Sequence, residues 1–331
     1  MLEVIRNAWK VPELRKKMQY TLLMLLVYRI GASIPVVGVN TDFIASMVDN
    51  YTILSYLDLF VGGRLRDFTI FAMGITPYIN ASIIMNLLAV AIPALERLQK
   101  EGEEGKKKIT RITRYLTVGL AFVQSTGIVL SLGSEAVINT AWWSYILIGL
   151  TLTAGSAFVM WLGEKITERG VGNGISLIIF VGIVSRLPWS IINISGEILS
   201  GGLAPWVAPL AIVFMLAVVV GVIFVDSGER RIPVQYAKRV VGRKMYGGQS
   251  THIPIKVNSS GVLPIIFAMT LISLPSMIAQ FWPNSGFTIW WSENVGAGTW
   301  PYMVFYALFI IFFTYFYSSI SFNPVDVSKN I

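Results

Sequence analysis

The sequence predicts an all-α, polytopic membrane protein, and three observations carry that prediction. Hydrophobic residues make up 54% of the 331-residue chain and charged residues only 13%, with a mean hydropathy of +0.66. Soluble domains carry about 25% charged residues, and a large soluble protein still needs polar cover for its own surface. Apolar runs long enough to cross a bilayer core, about 20 residues each, recur along the chain. Basic residues cluster between alternate runs.

Eight runs are predicted as spans: 19–38, 73–93, 115–133, 143–163, 174–192, 205–225, 260–282 and 301–321. The sixth and eighth are nearly featureless hydrophobic helices. The first is interrupted by Arg29 and runs into Gly/Pro-rich sequence. The N-terminal segment MLEVIRNAWKVPELRKKM lacks the pattern of a cleavable signal peptide. Orientation follows from lysine and arginine. With the N-terminus inside, all of the 26 basic residues except Arg29, Arg64, Arg66 and Arg186 fall in interior segments. An N-in, C-in topology is expected. Trp142, Trp143, Trp189, Trp206, Trp282, Trp290, Trp291 and Trp300 then gather at exterior ends, as an interfacial belt requires.

Two interior loops stand out. Residues 94–114 read as a charged hairpin with glycine breaks. Residues 227–258 form the longest interior loop, with basic doublets around Gly242 and Gly247-Gly248. Its flanks, RRIPVQYA and STHIPIKV, alternate like strands, which predicts a protruding hairpin. On the exterior side, residues 55–72 are amphipathic, glycine-broken and about half a span long, short enough for an interfacial or re-entrant element.

Chemistry-bearing patterns are sparse. Cysteine is absent, which removes disulfides and thiolate metal sites. The single histidine, His252, sits in an interior loop. There is no HExxH helix and no GxSxG elbow. GVGNG at Gly170–Gly174 lacks the lysine of a phosphate loop and reads as a helix start, its glycines allowing a tight turn. No catalytic residue, cofactor or metal is expected. Six of the eight spans carry no ionisable side chain, unlike an ion-coupled transporter. Arg186 is close enough to a span end to snorkel. Arg29 is expected to face a wet cavity, because a lipid-facing arginine costs roughly 2.5–3.5 kcal/mol.

Several long segments resemble the SecY family in its bacterial form. DLFVGGRLRDFTIFAMGITPYINASIIMNLL (58–88) is similar to that family's plug and second helix. KEGEEGKKKITRITRY (100–115) resembles its loop between helices two and three, and GVGNGISLIIFVGIVSRLP (170–188) the start of its fifth helix. RRIPVQYAKRVVGRKMYGGQSTHIPIKVNSSGVLPIIFA (230–268) resembles its sixth-to-seventh loop and seventh helix. FNPVDVSKNI (322–331) looks like the start of the following cytosolic loop.

The resemblance implies a channel passing unfolded polypeptide across, or sideways into, the bacterial cytoplasmic membrane. It implies a ring of aliphatic side chains at Ile75, Ile79, Ile175, Ile179 and Ile266. The i,i+4 spacing of the first two pairs stacks each pair on one helix face. A ring without hydrogen-bonding groups can seal around any sequence and dewet when empty. Isoleucine is abundant in these helices, so only the resemblance singles these five out. Residues 56–68 are expected to plug the funnel, with Leu57, Asp58, Leu59, Phe60, Gly62, Gly63, Arg64, Leu65, Arg66 and Asp67 as its members. Asn80, Asn86, Gln124 and Thr270 are the candidates for a lateral gate of polar groups paired across helices. Arg230, Arg231, Lys238, Arg239, Arg243 and Lys244 are expected to dock a ribosome or the SecA motor through phosphate- and charge-seeking contacts. SecE-type and SecG-type membrane subunits, preproteins with their signal sequences, and the lipid bilayer complete the implied partners. The family has ten spans in two inverted halves. Residues 1–192 correspond to the first half and 193–331 to part of the second, so helices nine and ten are expected to be missing from this chain.

Overall fold

The computed structural model describes residues 9–50, 66–131, 135–185, 187–202, 204–234, 239–241, 244–246, 251–258, 261, 263–279, 282, 285–296 and 299–321. The chain divides into two compact units, Met1–Trp189 with Ser273–Tyr302 and Ser190–Ile272 with Met303–Ile331.

In the first unit, helix α1 (Pro12–Gly31) begins on a proline at its first turn, where the missing N–H costs nothing. It stops at Gly31 and does not run to residue 38 as the apolar pattern predicted. Pro35 disfavours helical backbone at Ile34. Residues 34–36 instead lie beside 68–70: Val36 N–H donates to the Phe68 carbonyl at 2.9 Å and Ile70 N–H to the Ile34 carbonyl at 2.9 Å. A short helix α2 (Thr41–Asn50) buries Ile44 and Val48, an i,i+4 pair.

Residues 66–75 form turns and lead into α3 (Thr76–Ala91). Pro93 opens a separate helix, α4 (Pro93–Lys100), after extended backbone at Ile92. Gly102 turns the chain at φ 75° into α5 (Glu103–Ser131). The predicted charged hairpin at 94–114 is therefore a helix, a tight turn and the first three turns of a second helix. Its glutamates and lysines are good helix formers.

The long helix α6 (Trp142–Arg169) is the mast of this unit and packs against α1, α5 and α7 (Gly174–Val184), while α3 packs on α5. Ser125 and Thr153 hydroxyls meet at 3.1 Å between α5 and α6, so both polar groups are buried with partners. Two apolar clusters flank α6. One gathers Val36, Ile44, Phe68, Val129, Ile148 and Leu152; the other gathers Tyr28, Phe71, Ile75, Val159, Leu162, Ile166 and Ile178. Tyr28, Phe71, Phe158 and Trp161 stack in series at centroid spacings of 5.9, 5.9 and 5.7 Å. The predicted fifth span is divided at Ser185 into α7 and α8 (Leu187–Leu199).

The second unit contains α9 (Val207–Asp226), none of whose residues is buried. Strands β1 (Glu229–Val234) and β4 (Thr251–Lys256) pair antiparallel from Glu229↔Lys256 to Val234↔Thr251. The strand-like flanks of the long loop thus pair as predicted. Between them, β2 (Arg239–Val241) and β3 (Lys244–Tyr246) make a smaller hairpin. Helix α10 (Leu263–Ala279) follows, with its first ten residues in this unit. The chain continues through α11 (Gly286–Asn294), in the first unit, to α12 (Trp300–Ser321). Phe267 meets Phe313 and Tyr317 edge-on at 5.5 and 6.1 Å.

Among the described residues, three helices are by themselves long and apolar enough to cross a membrane: Trp142–Arg169, Val207–Asp226 and Trp300–Ser318. The other five predicted spans are also helical. They are shorter, broken or, in α1 and α5, charged over their first turns.

Candidate functional site

Four of the five predicted ring isoleucines share one apolar cluster of the first unit. Ile75 caps α3 and is buried, and Ile79 N–H donates to its carbonyl at 3.1 Å. Ile79, Ile175 and Ile179 are half-buried against the same cluster, whose centre is Val159, Leu162 and Ile166 of α6. Ile266 is half-buried on α10, in the second unit.

The start of α7 fixes Ile175 and Ile179, and three polar side chains hold it. Asn173 Oδ1 accepts from Ile175 N–H at 3.0 Å and Ser176 N–H at 3.2 Å, satisfying two of the helix's otherwise unpaired donors. Thr167 Oγ1 accepts from Gly174 N–H at 2.9 Å. Thr21 Oγ1, from α1, accepts from Val171 N–H at 3.0 Å. Gly172 makes the turn at φ 75°. A Cβ on Gly174 would stand 2.1 Å from the Gly163 carbonyl oxygen, so α6 and α7 touch backbone to backbone here. GVGNG is therefore a helix start, as its glycines indicated, with Asn173 as its cap.

A second anchor precedes α3. Phe68 is fully buried and holds a left-handed backbone at φ 39°, which costs a non-glycine residue free energy. Its carbonyl is the one bonded by Val36. Of the predicted plug, Arg66 is half-buried and Asp67 exposed; Leu57, Asp58, Leu59, Phe60, Gly62, Gly63, Arg64 and Leu65 lie outside the described residues.

The lateral-gate candidates differ in burial. Asn80 and Gln124 are buried in the first unit, Thr270 is buried in α10, and Asn86 is exposed. Arg29 is exposed near the end of α1, and Arg186 lies outside the described residues. In the long loop, Arg230 and Arg231 are exposed on β1, with Arg231 Nε 3.9 Å from Glu229 Oε2. Arg239 begins β2 and Lys244 begins β3; Lys238 and Arg243 lie outside the described residues.

One charged contact was not predicted. Arg114 Nε donates to Glu164 Oε1 at 2.9 Å, joining α5 to α6. This hydrogen bond, with the carboxylate's charge behind it, raises the Arg114 guanidinium above its ordinary range. Nearby, Lys165 donates to Glu168 at 2.6 Å. Sequence alone offers no signal for a pair fifty positions apart. The Asn-Gly step before an apolar run, by contrast, is a readable cap. Among the described residues no three of His, Cys, Asp and Glu come together as metal ligands.

The family model described as SecY matches residues 69–331. The protein translocase subunit SecY of Corynebacterium glutamicum is 44% identical over 352 residues, which covers 100% of this chain and 79% of that protein. Those of Streptomyces galbus and Mycobacterium bovis are 44% and 43% identical, covering 100% and 98% of this chain. Among solved structures, a protein-conducting channel aligns with a TM-score of 0.56 at 21% identity, over 83% of this chain and 62% of its own. Sec61 in the canine ribosome-channel complex from the endoplasmic reticulum aligns with a TM-score of 0.53 at 20% identity, over 83% of this chain and 63% of its own. The chain thus spans under two thirds of the length of these solved channels, whose likeness carries the fold. Matches at 43–44% identity over 98–100% of this chain, together with the family model over most of the sequence, lead to one assignment: the chain belongs to the SecY family.

Proposed function

We propose that this chain forms the pore of a bacterial protein translocase, passing unfolded secretory polypeptides across the cytoplasmic membrane and releasing membrane helices sideways. Its N-terminus is cytoplasmic, and it works as a passive channel, not an enzyme, driven by SecA or a ribosome. The observation that carries this reading is the shared cluster of Ile75, Ile79, Ile175 and Ile179, four aliphatic side chains from two helix starts. Aliphatic groups exclude water without binding a particular sequence, which suits a seal around arbitrary chains. Ile266 is assigned as the fifth member of the ring. Residues 56–68 are assigned as the plug, and Asn80, Asn86, Gln124 and Thr270 as the polar side of the lateral gate. SecE-type and SecG-type subunits complete the channel.

Arg230 and Arg231, exposed on β1, support the hairpin loop as the docking surface for ribosomal RNA or SecA. Contacts to phosphates weaken steeply with salt. Photocrosslinkers at Ile79 and Ile266 of the intact translocase, loaded with a stalled secretory precursor, test the reading. Both positions are expected to capture the nascent chain; capture by neither overturns the pore assignment.

A further inference from the structure

The last two turns of α6 carry more than the contacts that seat α7. Gly163 lies against Ile175 and Ile178, and Thr167 holds Gly174. Between them Glu164 accepts from Arg114, which stands three turns into α5. Tyr78 of α3 lies between Ile75 and Ile79 in sequence and packs against their cluster, and α3 itself packs on both α5 and α6. One ion pair therefore joins the two helices on which α3 packs.

An exposed ion pair contributes little, because water serves each charge almost as well. This pair is lopsided: the Glu164 side chain is 12% exposed and that of Arg114 47%. Loss of the arginine would leave this carboxylate, with little access to water, without its charged partner.

We propose that Arg114 and Glu164 are positioning residues for the aliphatic ring, clamping α5, three turns from its start, to the end of α6 so that α3 and α7 present their isoleucines as one surface. The proposal rests on the channel function proposed above.

The test uses the intact translocase, with its partner subunits, reconstituted into vesicles. Two quantities are read: iodide leak without substrate, and transport of a secretory precursor. R114Q and E164Q are each expected to raise the leak at least about threefold, the lower range of coupling between contacting residues, with transport kept within about twofold. The swap R114E/E164R is expected to return the leak to the wild-type level, because the contact needs one charge of each sign. R114K, which keeps the charge without the planar fork, is expected to leak at an intermediate rate. Unchanged leak in both neutralised variants overturns the proposal, as does a swap that leaks as much as they do. If a neutralised variant fails to accumulate, the swap and R114K decide by the same readings. Failure of the channel reading itself is separate: wild-type vesicles would then transport no precursor.

Discussion

Gly174→Ala tests whether backbone contact between α6 and α7 sets the position of Ile175 and Ile179. The new Cβ would stand 2.1 Å from the Gly163 carbonyl oxygen and 2.6 Å from Ile166 Cβ. Ordinary contact begins at 3.4 Å, so about 1.3 Å of separation has to be found. Neither neighbour is the tip of a flexible side chain, and Thr167 ties Gly174 to α6 at the same point. Overpacking typically costs 1–3 kcal/mol, and the backbone contact places this case at about 2 kcal/mol or more. Gly163→Ala is the matched control. Its Cβ meets Ile175 Cγ1 at 3.1 Å and Ile178 Cδ1 at 3.4 Å, side-chain atoms that can yield by a few tenths of an ångström. In a helix interior alanine also gains about 1 kcal/mol over glycine, which brings G163A close to neutral. Thermal unfolding of the intact translocase in detergent reads the difference. At roughly 2 °C per kcal/mol for a chain of this size, G174A is expected to melt about 4 °C or more below G163A. Equal midpoints, or G174A melting higher, would refute the backbone-contact argument.

Three further outcomes are expected from the same melts. Asn173→Ala removes both cap bonds and lowers stability by about 1 kcal/mol, whereas Asn173→Ser keeps most of it; equal losses would deny the cap. Thr21→Val leaves the Val171 N–H without its acceptor and costs about 1–2 kcal/mol, while Thr21→Ser retains the bond. Phe68→Ala gives up a fully buried ring at about 3–5 kcal/mol. Phe68→Gly gives up the same ring but relieves the left-handed backbone, so it should be the more stable of the two by about 1 kcal/mol. The opposite order would show that the backbone at 68 carries no strain.

Features encoded locally were legible in the sequence. The alternating flanks of the long loop pair as β1 and β4, because period-two patterning holds whatever surrounds it. Asn173 and its neighbouring glycines announce the start of α7 for a similarly local reason. Apolar content alone misplaced the end of the first helix: Ile34–Val39 is as hydrophobic as a span, but Pro35 and pairing with 68–70 make it extended. Charge misled in the other direction at 94–114, where lysine and glutamate read as loop but wind into helices. Within the site, the four isoleucines of the first unit were named by family resemblance, since nothing in their composition marks them out. The contacts that seat them were invisible. Thr21 to Val171 and Arg114 to Glu164 join positions 150 and 50 apart, and only the folded chain brings them together.

The tethering of α7 at one end has a mechanical consequence. Three side chains pin its base at residues 171–176. With a rise of about 1.5 Å per residue, Ile175 stands about 1.5 Å beyond Gly174 and Ile179 about 7.5 Å. Any tilt of the helix about that base therefore swings Ile179 some five times as far as Ile175. The two positions have unequal travel: Ile175 stays with the pinned base, while Ile179 moves with the length of helix beyond it.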